Sequence, residues 1–247
     1  MVLNRKKDVS LRSARPLVRY VDEHQAVIDT LFTVSDTCDL DDTPAEVHVR
    51  LTGPKGNVVT FQTSVDLSDG KGMVRFELGD PCRWWPAGMG DQQLYEFCVT
   101  LLVGDETAGA WTTTLGMTSV RTNRLENQMS LLVNGHEYEI NDVVPIESDD
   151  EKSVLPVTGD TLLLVRNHFG PDVLYDAADR AGILLIQSVP LSHVTQKGIN
   201  VSREVDRLAA HPCLAGWLVN SDERIGDRMA QRIQSLDPTR SVFRQFA

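Results

Sequence analysis

The chain has 247 residues, of which 41% are hydrophobic and 24% are charged, and its formal net charge at pH 7 is −11. These proportions are those of a globular protein with one or two domains. The negative charge disfavours binding to nucleic acid or to an anionic membrane surface, because both carry phosphate. A complete (β/α)8 barrel needs about 250 residues, so the length excludes a full barrel together with a second domain.

Short runs of alternating apolar and polar residues fill the chain from residue 17 to residue 121. In one of them Val47, Val49 and Leu51 point to one side, and His48 and Arg50 point to the other. Similar runs occupy residues 26–34, 57–64, 73–78, 93–103 and 108–120, with turn-forming residues between them. Six or seven short strands without a helical period predict an immunoglobulin-like β-sandwich over residues 16–121.

Strands and helices alternate over residues 122–247. A hairpin is predicted at Asn134-Gly135, with strand residues 131–133 before it and 137–146 after it. Further strands are predicted at residues 161–166, 183–186, 214–219 and 241–243. Helices are predicted at residues 171–181, 201–210 and 222–236. The last helix carries Ile225, Met229 and Ile233 on its apolar face. This order predicts a parallel sheet with right-handed crossovers.

The four cysteines, Cys38, Cys82, Cys98 and Cys213, have neither metal-binding spacing nor the density of a disulfide framework. A bridge between Cys82 and Cys98 and buried free thiols both fit the sequence, and the thiols are favoured. The acidic string at residues 147–151 is interpreted as a solvated loop because its spacing is not that of a calcium loop. We therefore expect no metal and no cofactor. Neither a signal peptide nor a membrane span is recognised, so the default expectation is a cytoplasmic protein.

Six strings, in one order along the chain, resemble the glycoside hydrolases of family 2, which include β-galactosidase, β-glucuronidase and β-mannosidase. The strongest is Arg83-Trp-Trp-Pro-Ala-Gly-Met-Gly-Asp-Gln-Gln-Leu-Tyr95, which is similar to a turn at the end of that family's sandwich domain. The others begin at Leu115, Leu132, Arg166, His211 and Asp237. The resemblance covers almost the whole chain after Leu17, and it implies that residues 122–247 are the N-terminal half of a (β/α)8 barrel.

The resemblance also implies retaining hydrolysis of O-glycosyl bonds, which uses two carboxyl groups about 5–5.5 Å apart. The family's acid/base glutamate follows the fourth barrel strand, and the string Trp217-Leu-Val-Asn-Ser-Asp-Glu223 puts Asp222 at that position, with Glu223 as the alternative. The family's nucleophile follows the seventh strand, which these residues do not reach. We therefore expect a truncated and degenerate relative, a pseudoenzyme when it is alone.

Four more residues are candidate substrate-binding residues by the same resemblance: Arg166, His168, Gln187 and Asn220. Structural roles stay open beside these. Arg166 could pair with Asp222 or Glu223, and His168 could bond to the backbone at the strand end. Among the tryptophans, Trp217 is expected in the core, and Trp84 and Trp85 are expected at the junction between the sandwich and the barrel.

Three functions remain compatible with the sequence. The first is a catalytically incomplete relative that binds carbohydrate or protein. The second is one part of a split or oligomeric glycosidase, because a half-barrel leaves open strand edges that a second copy or a partner chain would cover. The third is a non-enzymatic module that binds carbohydrate or protein through the sandwich alone.

Overall fold

The computed structural model describes residues 9–35, 44–67, 69–125, 128–146, 154, 161–192, 198–221 and 224–245. Within these ranges the chain forms mostly β-strands, together with three helices. None of the helices in this part of the chain is both long enough and apolar enough to span a membrane.

The N-terminal strands form two antiparallel sheets that face each other. They are β1 Ser10–Val21, β2 Gln25–Ser35, β3 Ala45–Thr52, β4 Val58–Val65, β5 Lys71–Gly79, β6 Tyr95–Val103 and β7 Glu106–Leu115. The sheet orders are β1-β2-β5 and β4-β3-β6-β7. Alternate side chains turn inward, and the ring of Phe76 on β5 stacks on that of Phe97 on β6, with 6.2 Å between centroids. These strands form the predicted two-sheet sandwich.

Strand β1 begins at Ser10, ahead of the alternating pattern that starts at residue 17 in the sequence. Its first half is polar, and hydroxyl groups join it to β2. The Oγ atoms of Ser10 and Ser35 lie 2.5 Å apart, and Ser13 Oγ lies 2.9 Å from Thr33 Oγ1. Hydrophobic alternation could not reveal a strand whose cross-strand contacts are made by hydroxyls.

A small antiparallel sheet follows the sandwich, made of β8 Val120–Leu125, β9 Gln128–Val133 and β10 His136–Tyr138. The hairpin between β9 and β10 lies at Asn134-Gly135, as predicted. Both residues have positive φ, 51° and 84°, which a two-residue type I′ turn requires and which asparagine and glycine tolerate best.

The C-terminal part is a parallel sheet with its strands in chain order. The strands are β11 Asp142–Ile146, β12 Thr161–Val165, β13 Leu185–Ser188, β14 Leu214–Leu218 and β15 Ser241–Phe243. The helices α1 Asp172–Ala181, α2 Val201–Leu208 and α3 Arg224–Leu236 connect β12 to β13, β13 to β14 and β14 to β15. Every residue of β14 is buried, as expected for a strand covered on both faces.

Some element boundaries differ from the prediction for reasons that lie in the backbone. Strand β13 begins at Leu185 rather than at Ile183, because the Ile183 amide donates to the Ala178 carbonyl and closes α1 after Gly182, whose φ is 72°. The strand predicted at residues 137–146 is interrupted between β10 and β11. Ile225, predicted on the apolar face of α3, is 41% exposed, whereas Met229 and Ile233 are buried.

Trp84 joins the sandwich to the parallel sheet. Its side chain is fully buried, and its Nε1 donates a 2.9 Å hydrogen bond to the Asp179 carbonyl on α1. Its own carbonyl accepts from Asn134 Nδ2 at 2.9 Å. Trp85 packs edge-on against His136, with ring centroids 5.3 Å apart. The Trp-Trp-Pro turn therefore contributes to packing between elements, as predicted.

The structure settles the choice left open for Cys82 and Cys98. Cys82, Cys98 and Cys213 are all free, so the bridge between Cys82 and Cys98 does not form. Cys213 is buried, whereas Cys82 and Cys98 are only half-buried. Cys38 and the acidic string at residues 147–151 lie outside the described residues.

Candidate functional site

The carboxyl ends of parallel strands meet at one edge of their sheet, which is where α/β folds bind ligands. Arg166 and His168 follow β12 at this edge, and Asn220 follows β14. Arg166 and Asn220 are exposed, and His168 is half-buried. We call this edge the C-terminal edge, and all four residues predicted to bind substrate lie there, with Gln187 buried at the end of β13.

The turn after β12 is built on Asn167, whose φ of 63° lies in the left-handed region. Asparagine is one of the few residues other than glycine that adopt this conformation readily. The turn brings His168 Nδ1 to 2.6 Å from the Arg166 carbonyl oxygen, to which it donates. The backbone hydrogen bond considered for His168 is thus present, and the substrate contact of this residue remains a prediction.

Gln187, at the end of β13, is fully buried and bonded on both sides of its amide. Its Oε1 accepts from the Tyr175 hydroxyl and, at 3.3 Å, from the Gly170 amide. Its Nε2 donates to the carbonyls of His168 at 2.7 Å and Ser188 at 2.5 Å. Gln187 therefore fixes the turn that carries His168, and a direct substrate contact by it stays a prediction.

Arg207 on α2 supports the same turn and was not foreseen from the sequence. It donates to the Gly170 carbonyl at 2.7 Å and forms ion pairs with Asp172 at 2.6 Å and Glu204 at 2.7 Å. Burial alone would lower the pKa of Arg207, but its hydrogen bonds to Asp172 and Glu204 outweigh burial and raise the pKa. The sequence could suggest only the ion pair with Glu204, which lies three residues before Arg207 on the same helix. Asp172 lies 35 residues before Arg207, so its ion pair could not be predicted.

Arg244, directly after β15, holds the segments that flank the candidate acid/base residues. Its Nη2 donates to the Ser221 carbonyl, and its Nη1 lies 3.2 Å from Asp227 Oδ1 in the first turn of α3. Asp222 and Glu223 themselves lie outside the described residues. The structure therefore fixes the residues on either side of them and leaves their assignment as acid/base a prediction.

The opposite edge of the sheet, where β14 and β15 begin, contains two buried polar clusters. In the first, Asp179 Oδ2 lies 2.7 Å from His211 Nδ1, and Asp179 Oδ1 accepts from the Cys213 amide at 3.0 Å. Burial, followed by the neighbouring Asp179 carboxylate, raises the pKa of the Cys213 thiol well above its ordinary value.

These three side chains also bring donor atoms of the types that metals bind within 4.8 Å of one another. The carboxylate is already bonded to His211 and to the Cys213 amide, and Cys213 Sγ lies 3.6 Å from the Tyr175 carbonyl oxygen. The cluster therefore joins α1 to the start of β14 by hydrogen bonds.

The second cluster surrounds Asp237, which is fully buried just before β15. The carboxylate accepts from Trp217 Nε1 at 2.9 Å, from Thr239 Oγ1 at 2.5 Å and from Arg240 Nη1 at 3.2 Å. Arg240 also donates to the carbonyls of Leu214 at 2.7 Å and His211 at 2.9 Å. Trp217 is thus a core residue, as predicted, and the Asp-Pro-Thr-Arg string anchors the start of β15.

Comparison with known proteins gives a consistent set of neighbours. β-Mannosidase A of Aspergillus aculeatus is 26% identical over 215 residues, which cover 71% of this chain and 23% of that protein. An exo-β-D-glucosaminidase of Streptomyces avermitilis is 23% identical over 175 residues, which cover 59% of this chain and 19% of that protein. The chain thus spans about a fifth of the length of these relatives. No family model matches it.

The solved structures agree with the sequence relatives. A glycosyl hydrolase family 2 member from Bacteroides cellulosilyticus superposes with a TM-score of 0.71 at 16% identity, covering 95% of this chain and 36% of that one. The resemblance inferred from the six sequence strings is confirmed, and the chain is a relative of the glycoside hydrolases of family 2.

Proposed function

We propose that this chain carries the sandwich, residues 16–121, and the first strands of the (β/α)8 barrel, residues 122–247, of a retaining family 2 glycoside hydrolase. The observation that carries the proposal is the parallel order of β12 to β15, which brings Arg166, His168 and Asn220 to one edge. Asp222 follows Asn220 by two residues, so an acid/base group in this segment would face the same edge.

We propose further that these residues supply only one of the two carboxyl groups of the reaction. Asp172 and Asp227 also lie near the C-terminal edge, but each is already paired with an arginine, Arg207 and Arg244 respectively. Among the described residues this leaves no uncommitted second carboxylate at that edge. The nucleophile would then come from outside the 247 residues, through more of the same polypeptide or through another chain.

The assignment of Asp222 as acid/base carries a geometric cost. Its side chain is one methylene shorter than the glutamate that the family uses, and a misplacement of about 1 Å can cost about 100-fold in rate. Glu223 is the alternative if a one-residue bulge brings it to the same position. Arg244 contacts the described residues on either side of this segment, Ser221 by a hydrogen bond and Asp227 by an ion pair.

The substrate class that we propose is a β-linked hexoside. The named relatives are a β-mannosidase and an exo-β-D-glucosaminidase, so 4-nitrophenyl β-D-mannoside and 4-nitrophenyl β-D-glucosaminide are the matched test substrates. We expect the 247-residue chain to release 4-nitrophenol no faster than its Asp222→Asn/Glu223→Gln double variant. Turnover that the double variant loses would show that the chain is catalytically complete and would overturn the proposal.

A second candidate function is supported by the two outermost strands of the parallel sheet. Strands β11 and β15 each pair with one neighbour only, so each presents an open edge within the described part of the chain. A second copy or a partner chain that paired there could contribute the missing carboxylate. Sedimentation would detect such an assembly, and a strictly monomeric chain without turnover would count against this candidate.

A further inference from the structure

A cavity lies at the opposite edge of the sheet from Arg166, His168 and Asn220. Its volume is about 370 Å³, and it is enclosed by β1, β8, the end of α3 and the turn that leads into β15. Three arginines line it, Arg19, Arg121 and Arg240, together with the hydroxyl-bearing residues Ser119, Thr239 and Ser241. Among the residues that the structure describes, no carboxylate lines this cavity.

The positive charge at this cavity is only partly neutralised. Arg240 is fixed by two backbone carbonyls and is matched by the carboxylate of Asp237. Arg19 lies 3.4 Å from Asp29, but Arg75 already bonds both oxygens of that carboxylate at 2.6 and 2.8 Å. The Arg121 backbone pairs with Leu132 in the β8–β9 ladder, but its guanidinium forms neither a hydrogen bond nor an ion pair within the described ranges. A chain with a net charge of −11 thus has a local excess of positive charge here.

We propose that this cavity binds a small tetrahedral oxyanion, phosphate or sulfate, either free or as the ester group of a small molecule. Guanidinium groups present pairs of N–H donors that match the oxygens of such anions. Arg240 forms a rigid part of the cavity wall because its side chain is nine-tenths buried. Arg19 and Arg121 are accessible from solvent. Ser119 and Ser241 add hydroxyl groups at the same wall, where Ser241 Oγ lies 3.1 Å from Thr122 Oγ1, whereas the Thr239 hydroxyl already donates to Asp237.

The bound anion would connect two parts of the fold. Arg19 and Arg121 lie on β1 and β8, whereas Arg240 precedes β15. An anion held between them would link the sandwich side of the cavity to the start of the parallel sheet. Because the cavity lies away from the C-terminal edge, this proposal does not depend on the proposed glycosidase function.

Isothermal titration of the full chain with sodium phosphate and with sodium sulfate, at constant ionic strength, tests the proposal. We expect saturable binding, weakened about tenfold in Arg121→Gln and again in the Arg19→Gln/Arg121→Gln double variant, because each change removes a charge-assisted hydrogen bond. Arg50→Gln is the matched control, because Arg50 is an exposed arginine on β3 that pairs with Glu96. Thermal unfolding without anion checks that all variants remain folded.

Absence of saturable binding would overturn the proposal, as would undiminished binding by the double variant. Acetate is the negative probe, and acetate that binds as tightly as phosphate would show a general attraction of anions instead of a tetrahedral site. Phenyl phosphate distinguishes the two sources of the ligand. Binding at least as tight as that of inorganic phosphate indicates an ester ligand, and weaker binding indicates the free anion.

Discussion

The two edges of the parallel sheet use polar residues in opposite ways. Where β14 and β15 begin, Asp179 and Asp237 are buried, and protein donors occupy their carboxylates. Where the strands end, Arg166 and Asn220 are exposed to solvent. Buried and satisfied polar groups stabilise one arrangement of the chain, whereas exposed ones remain available to a ligand.

This difference indicates a division of roles between the two edges: the polar residues of one edge stabilise the fold, and those of the other can bind a ligand. In barrel enzymes, polar residues at the amino-terminal face of the strands contribute to stability, and those at the carboxyl-terminal face contribute to chemistry. The same division would apply here if residues 122–247 are part of a barrel. It makes definite predictions about which substitutions change the free energy of unfolding.

The largest effect is expected for Asp237→Ala at the start of β15. The substitution removes the carboxylate that accepts from Trp217 and Thr239, and it leaves Arg240 as an unmatched buried charge. We expect a loss of about 3–5 kcal/mol in the free energy of unfolding, measured by urea denaturation. The control is Asp69→Ala, which removes an exposed carboxylate and should change the free energy by less than about 0.5 kcal/mol. Equal effects of the two changes would contradict the division.

Gln187→Leu tests the residue that departs from the difference between the two edges. Gln187 is buried, although it lies at the C-terminal edge. The substitution removes the hydrogen bonds that the buried Gln187 amide forms with the Tyr175 hydroxyl and the His168 carbonyl, so we expect a loss of about 2–3 kcal/mol. Gln231→Leu on the exposed face of α3 is the control. If Gln187→Leu costs no more than the control, the hydrogen bonds seen at Gln187 contribute little to the fold.

Periodicity predicted most of the strands and helices, because burial of one or both faces leaves a direct pattern in the sequence. It predicted no strand at β1, whose first half is joined to β2 by serine and threonine hydroxyls, and it started β13 too early, where the Ile183 amide closes a helix. At the candidate site, the position of Arg166 and His168 after a strand could be predicted. The long-range contacts of Arg207 and Arg244 could not, because they join residues 17 to 37 positions apart.

The pH dependence of stability gives a smaller effect at the buried edge. The raised pKa of Cys213 means that the folded chain retains the thiol proton at pH values where the unfolded chain has lost it. The folded state then binds more protons, so stability falls as pH rises above about 9, by up to about 1.4 kcal/mol per pH unit. Urea denaturation at pH 8, 9 and 10 should show a steeper decline for the native chain than for Cys213→Ala. Equal slopes for the native chain and Cys213→Ala would refute the assignment.

The smallest effects on stability are expected at Arg166 and His168, on the C-terminal edge. Arg166→Ala removes an exposed guanidinium and should change the free energy of unfolding by no more than about 0.5 kcal/mol. His168→Ala removes a half-buried ring and its hydrogen bond to the Arg166 carbonyl, and should cost about 0.5–1 kcal/mol. The same urea titrations that measure Asp237→Ala provide the comparison. A cost above about 1.5 kcal/mol for either variant would mean that this edge is also used for folding, and the structural reason for assigning it to ligand binding would be lost. A small cost would show that neither side chain is needed for folding, which is what the proposed contact with a substrate requires.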